Sequence, residues 1–290
     1  MEFGWNKEPL TLLTDQPRFD NLEPVLQKTA LTLAITFLLL LPPLLGGEEA
    51  PKPRPTAEAI LKAANKRIYN LKDQTADVAF RVVDDKGSEK KTLFKLYWKN
   101  YGGQDNLNTK TLLITQSPSR DKGQKFLIWE YIEEGQADLW LYLPELRQVR
   151  RIQPGRNRHE EEPDSDLLFE DMHQRRVEKD DHLLLPDDEV RGEPCYVIEN
   201  RLKGKTLYSK TITFVSKNDG TIRRVDSFSP EGTLIKTQWI DWQQIDQSFV
   251  WKSSEIFNAL SSRKTFVEVT NVKINTQLPE ETFSERTLRK

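Results

Sequence analysis

The chain has 290 residues, with 43 Lys and Arg against 45 Asp and Glu, a formal net charge of -2. That balance excludes a strongly basic nucleic-acid binder and an acidic tail protein. One cysteine, Cys195, excludes an internal disulfide framework and any Cys-rich metal or iron-sulfur site, while seven Trp, seven Tyr and thirteen Phe supply the apolar area a folded chain needs.

Residues 30–45 read ALTLAITFLLLLPPLL without a charge, between Lys28 and Gly46-Gly47-Glu48-Glu49. The run is interrupted by Pro42-Pro43 and is shorter than the ~20 residues of a bilayer span, which fits the apolar region of a secretory signal peptide. A retained membrane anchor and a buried core helix are the alternatives. Residues 1–24 are acidic where such an n-region is basic, so they are expected to be an artefact of start assignment. A start at Val25 gives residues 25–47 as the signal peptide and residues 48–55, with Pro51, Pro53 and Pro55, as a linker to a domain spanning 56–290.

Thr56 can cap a helix reaching Leu71, with Ile60, Leu61, Ala64, Ile68 and Leu71 on one face. The pattern then changes to strict alternation: Ala76, Val78, Phe80 and Val82, a turn at Asp84-Asp85-Lys86-Gly87, then Thr92, Phe94, Leu96 and Trp98. Strand-like runs continue at 110–116, 125–131, 137–143 and 147–152, and resume from Cys195 to Ile274 with turns at Asn218-Asp219-Gly220 and Glu231-Gly232. No second long helix intervenes, so parallel crossover units are excluded. The predicted fold is mainly β: a half-open antiparallel barrel of about 11–13 strands, with an amphipathic N-terminal helix and short lid elements. Many strands are apolar on both faces, which is compatible with a packed interior or with an apolar cavity under a lid.

The irregular stretch 153–181 holds His159, Glu160, Glu161, Glu162, Asp164, Asp166, Glu170, Asp171 and His173. Its spacing matches no metal motif, and the sequence contains no nucleophile elbow, phosphate loop or dinucleotide fingerprint. No cofactor and no metal are expected, and a hydrolase is disfavoured for want of a nucleophile motif. Arg147, Arg150, Arg151, Arg175 and Arg176 form basic clusters that could touch headgroups or pair with nearby acids. Leu167, Leu168 and Phe169 sit between acids and could form a short lid helix or a surface turn.

The block Asp138-Leu139-Trp140-Leu141-Tyr142-Leu143-Pro144-Glu145-Leu146-Arg147-Gln148-Val149-Arg150-Arg151-Ile152, followed by Ser165-Asp166 and Glu170-Asp171, resembles the outer-membrane lipoprotein-sorting proteins, in particular a divergent LolA-like group. Pro118 to Gly123, Phe126-Leu127, Gly192-Glu193-Pro194-Cys195-Tyr196, Asn271 to Asn275, Leu278-Pro279 and Phe283 extend the resemblance over roughly 56–288. Asp164 departs from it, standing where that group has glycine. The resemblance implies a monomeric, non-enzymatic carrier in the periplasm of a Gram-negative bacterium. Such a carrier holds the acyl chains of a lipoprotein or lipid for transfer between inner and outer membrane, with an RND-type inner-membrane transporter and an outer-membrane acceptor as partners. A sensor or adaptor of the same fold is the alternative. Resemblance and apolar surplus together give an expected lining of Phe80, Val82, Phe94, Leu96, Trp98, Leu112 and Ile114, faced by Ile60, Leu61 and Ile68 of the helix. Arg150, Arg151, Asp166, Leu167, Leu168, Phe169 and Asp171 are the expected lid or partner contacts, with Arg151 anchoring Asp166.

Overall fold

A computed structural model describes residues 54–133, 137–152, 171, 175–204 and 206–290. The apolar run at 30–45 and the lid residues Asp166, Leu167, Leu168 and Phe169 lie outside them. Helix α1 (Ala57–Ile68) starts where the sequence places it: the Thr56 hydroxyl accepts from the Ala59 amide at 3.2 Å, which satisfies one of the amides left open at a helix N-terminus. Lys66 and Arg67 complement the dipole at its other end. Ala57, Ile60, Leu61, Ala64 and Ile68 form its buried stripe.

Fourteen strands follow among the described residues, against the 11–13 expected: β1 Asp73–Val83, β2 Glu89–Asn100, β3 Leu107–Ser117, β4 Lys125–Tyr131, β5 Ala137–Leu143, β6 Gln148–Ile152, β7 Asp181–Leu184, β8 Asp188–Val190, β9 Glu193–Arg201, β10 Lys210–Ser216, β11 Ile222–Phe228, β12 Leu234–Ile245, β13 Ser248–Asn258 and β14 Lys264–Ile274. All pair antiparallel in one sheet, ordered β6-β5-β4-β3-β2-β1-β14-β13-β12-β11-β10-β9-β7, with β8 also on β9. It is a meander from β1 to β6 and from β9 to β14, whose two halves are joined by β1 and β14, with Val78 opposite Val269 and Phe80 opposite Val267, while β7 and β8 both pair with β9. The sheet does not close among the described residues.

Because side chains alternate along a strand, the register sorts residues onto two faces. Val78 lies opposite Phe94, Leu96 opposite Leu113, Leu113 opposite Phe126 and Phe126 opposite Leu141. These residues share one face. Continuing through β14 and β13, the same face carries Val267, Ile256, Gln238, Val225, Thr213 and Ile198. It also carries α1, whose Ala57, Ile60, Leu61 and Ala64 pack with Ile198, Val215 and Val177, so it is called the inner face below.

The outer face of β3–β5 carries Leu112, Leu127 and Trp140, and these are covered by the C-terminal segment. A 3₁₀ turn (Glu280–Phe283) and a short helix α2 (Glu285–Leu288) insert the fully buried Phe283 and Leu288 against them. Polar contacts fix the strap: the Trp129 indole donates to the Phe283 carbonyl at 2.9 Å and the Lys125 ammonium donates to the Thr287 carbonyl at 3.0 Å. The Glu280 carboxylate accepts from Tyr101 and from Lys110, each at 2.6 Å. Both faces of β3–β5 are therefore covered by the chain itself, which explains their runs of consecutive apolar residues, Leu112-Leu113-Ile114, Phe126-Leu127-Ile128-Trp129 and Leu139-Trp140-Leu141-Tyr142-Leu143.

Candidate functional site

Helix α1 and the inner face of β9–β13 flank a partly open cavity of about 220 Å³. Leu61, Ile68 and Tyr69 line it from the helix side, and Val225, Ile240 and Trp251 from the sheet. Arg67 helps to set the helix in place, since the turn joining β10 and β11 meets it at Gly220. A Cβ on Gly220 would stand 3.1 Å from the Arg67 Nε, and the residue holds φ +72°, a region that suits glycine. The positive φ is what calls for glycine at this turn, and a Cβ there would displace only the Arg67 side chain.

The polar groups facing the cavity are satisfied by one another. Asn200 donates from Nδ2 to the hydroxyls of Thr211 (3.0 Å) and Thr213 (2.9 Å), while its Oδ1 meets His182 Nδ1 at 2.8 Å. The other ring nitrogen of His182, Nε2, lies 2.6 Å from the Val177 carbonyl, so the ring is held at both nitrogens. Gln238 donates to Ser254 Oγ at 3.1 Å, and that hydroxyl donates to the Trp239 carbonyl at 3.0 Å. Paired in this way, amides and hydroxyls can border an apolar ligand without paying for lost water. Burial, reinforced by the charge of Glu130, pushes the Tyr69 phenol far above its ordinary range and keeps it neutral.

At one end of the cavity a charged cluster ties the segment before β7 to the sheet. Asp171 forms an ion pair with Lys236 of β12 and accepts from the Tyr208 hydroxyl at 3.0 Å, with both charged side chains nearly buried. Arg175 pairs with both oxygens of Asp180, one at 2.6 Å, and donates to the Lys203 carbonyl at 2.6 Å. Of the expected lid contacts, Asp171 is thus bound on the inner face beside the cavity.

The expected lining is divided by the structure. Leu61 and Ile68 face the cavity. Ile60 packs beside it against the Val177 and Ile198 cluster, so the helix lies over the later strands instead of over Phe80 and Phe94 as expected. Phe80, Phe94 and Leu96 belong to a packed inner-face cluster with Phe126, Ile256 and Val267. Its rings meet edge to face, at 5.6 Å for Phe80 with Phe94 and 6.3 Å for Phe94 with Phe126. Val82 is buried on the same face, and the register places Trp98 there too. Leu112 and Ile114 are on the opposite face, against the C-terminal strap, because they differ in parity from Leu113.

Arg150 points to the inner face at the β6 edge, whereas Arg151 is on the outer face beside Trp140 and bonds Asp138. The expected Arg151 partner, Asp166, lies outside the described residues. Trp251, His182 and Asn200 were not singled out by the sequence; the signal was there in polar residues at inward positions of β9, β10 and β12, Asn200, Thr213 and Gln238. Cys195 is fully buried, and burial together with Glu193 pushes its thiol up to about 11, which makes it inert as a nucleophile. Among the described residues no three His, Cys, Asp or Glu side chains converge on a metal-sized site, and no helix is long and apolar enough to cross a membrane.

One uninterrupted antiparallel sheet, open at its edges and carrying a helix across its inner face, is the LolA-like open barrel. Several solved structures share it, among them the following three. A DUF1329 family protein from Desulfovibrio piger superposes with a TM-score of 0.73 at 24% identity, over 81% of this chain and 100% of the other. A domain classed with outer membrane lipoprotein-sorting proteins from Vibrio parahaemolyticus gives 0.71 at 23% identity, over 81% and 98%. A LolA superfamily protein from Nitrosomonas europaea gives 0.62 at 18%, over 81% and 100%. At these identities the likeness is one of fold. Residues 107–290 match the model of a family described as uncharacterized protein-like, and the chain belongs to that family. No curated protein matches the sequence significantly.

Proposed function

We propose that the protein is a non-enzymatic periplasmic carrier that shields an acyl chain of a lipid or lipoprotein between inner and outer membrane. The observation that carries this reading is the cavity between α1 and the inner face, apolar at Leu61, Ile68, Val225, Ile240 and Trp251 and bordered by polar groups that already have partners. The fold it shares with a domain classed among lipoprotein-sorting proteins supports the same reading. A signal peptide at 25–47 and a linker at 48–55 would deliver the 56–290 domain to that compartment, where an RND-type transporter and an outer-membrane acceptor would supply and receive cargo.

At about 220 Å³ the cavity is smaller than the roughly 300–1,000 Å³ typical of pockets for drug-sized ligands, so a long chain enters only as α1 moves outward. Burying ten methylenes is worth about 8 kcal/mol, which corresponds to a dissociation constant near micromolar. A bilayer offers the same chain a similar gain, so transfer needs no nucleotide. Native mass spectrometry of the gently purified chain, followed by titration of the delipidated protein with a fluorescent fatty acid, tests the proposal. The expected result is a co-purified lipid mass and saturable uptake. A protein that carries no lipid and takes up no probe overturns it.

A further inference from the structure

The cavity opens onto a second, larger groove of about 610 Å³, and the two share Asn65, Tyr69, Arg175, Arg176 and Val177. The character changes across that boundary. Four cationic side chains, Lys62, Lys66, Arg175 and Arg176, line the groove, against one carboxylate, Glu178. Two of the four are engaged within the protein. Lys62 is held by Glu58 at 2.7 Å and by Glu178 at 2.9 Å, and Arg175 by Asp180. Lys66 and Arg176 are exposed and make no ion pair among the described residues.

The placement of these two cations follows from the local fold. Lys62 and Lys66 are one helical turn apart and therefore stand on one side of α1, while the buried stripe of Ile60, Leu61, Ala64 and Ile68 faces the sheet. Arg176 immediately precedes a 3₁₀ turn (Val177–Lys179) that the Lys62–Glu178 contact fastens to the same side of the helix. An apolar space continuous with a groove carrying Lys66 and Arg176, neither in an ion pair among the described residues, matches an amphiphile whose tail is uncharged and whose head is an anion.

We propose that the groove at Lys66 and Arg176 receives the anionic, phosphate-bearing headgroup of the lipid whose chain occupies the cavity. This rests on the carrier reading and adds to it the class of cargo. Charge-assisted hydrogen bonds from an ammonium and a guanidinium would select a phosphate that carries net charge over one neutralised by its own choline.

The test uses the purified chain and short-chain lipids kept monomeric, so that no charged surface contributes. Diheptanoyl phosphatidylglycerol and diheptanoyl phosphatidylcholine are compared by calorimetry, with glycerol phosphate as the chain-free probe. The expected result is a preference of about tenfold for the glycerol lipid, weakened by salt, with glycerol phosphate alone binding far more weakly. In the double variant Lys66→Gln, Arg176→Gln the ratio falls to about one. The charge-conserving pair Lys66→Arg, Arg176→Lys retains most of it. Equal affinity of the wild type for both lipids overturns the headgroup proposal and leaves the carrier reading standing. Binding of glycerol phosphate without either lipid overturns both, as does binding of none of the three.

Discussion

Val225 is half-buried at the middle of β11, between Thr213 and Gln238, with its side chain at the cavity wall. Replacing it with phenylalanine adds four carbon atoms on the side that faces the cavity. At about 30 Å³ per water-sized group, 220 Å³ accommodates roughly seven such groups. Seven methylenes at about 0.8 kcal/mol each give about 6 kcal/mol, a dissociation constant on the order of 0.1 mM for the cavity as it stands. Filling four of those places removes about 3 kcal/mol, or about 100-fold in affinity. The new ring enters vacant space, so the melting temperature is expected to hold or rise. The assay is a titration with a fluorescent fatty acid alongside thermal unfolding. Unchanged uptake by a folded Val225→Phe protein would refute the placement of the chain. Weaker uptake with a large drop in melting temperature would show instead that the wall at Val225 is tightly packed.

Leu96→Asp is expected to destabilise the protein by about 2 kcal/mol or more, because Leu96 packs on the Phe94 cluster away from the cavity; a stable variant that has lost only lipid uptake would move the site there. Lys236→Met leaves the Asp171 charge buried with the Tyr208 hydroxyl and should cost about 3 kcal/mol, most of it recovered in Lys236→Met, Asp171→Leu; additive losses on denaturant unfolding would reject the coupling. Phe283→Ala, at a fully buried position of the strap, should cost about 3–5 kcal/mol yet leave lipid affinity within a factor of two, since the strap is on the other face. Asp77, bonded by Asn271 and Lys95, and Glu199, bonded by Arg201 and Lys210, are held below their ordinary carboxylate range. Their stabilisation is therefore full above about pH 4–5 and is lost as pH falls through the depressed folded values, so melting temperature should drop below about pH 4; a rise there would contradict the sign.

The meander was legible because it is written in local alternation and turn residues: Ala76, Val78, Phe80 and Val82 against Phe94, Leu96 and Trp98, with glycines where the chain reverses. The facing of β3 was not legible. Leu112, Leu113 and Ile114 are consecutive and apolar, so alternation does not say which of them points inward, and only pairing with β2, with its register shift near Ser117, assigns Leu113 to the inner face. Strands β7 and β8 escaped notice for a different reason. They are four and three residues long, and Asp181, Asp188 and Glu189 lack the apolar composition of a strand. The position of α1 is a long-range property: its stripe specifies that it packs, whereas the strands it packs on are chosen by complementary surface more than a hundred residues away.

That choice determines where a ligand can go. The early strands fill their own inner face with aromatic and large aliphatic side chains, so little space remains between Phe94, Phe126 and Ile256. The later strands present smaller and polar inward residues, Thr213, Val225, Ser254 and Gln238, which cannot meet the helix as closely. Space under α1 is the consequence, and the hydrogen-bonded side chains around it cannot collapse inward without losing their partners. Sealing the outer face with the C-terminal strap lets the early half of the sheet serve as a rigid support. The carrier reading proposed above requires the half under the helix to be the part that opens.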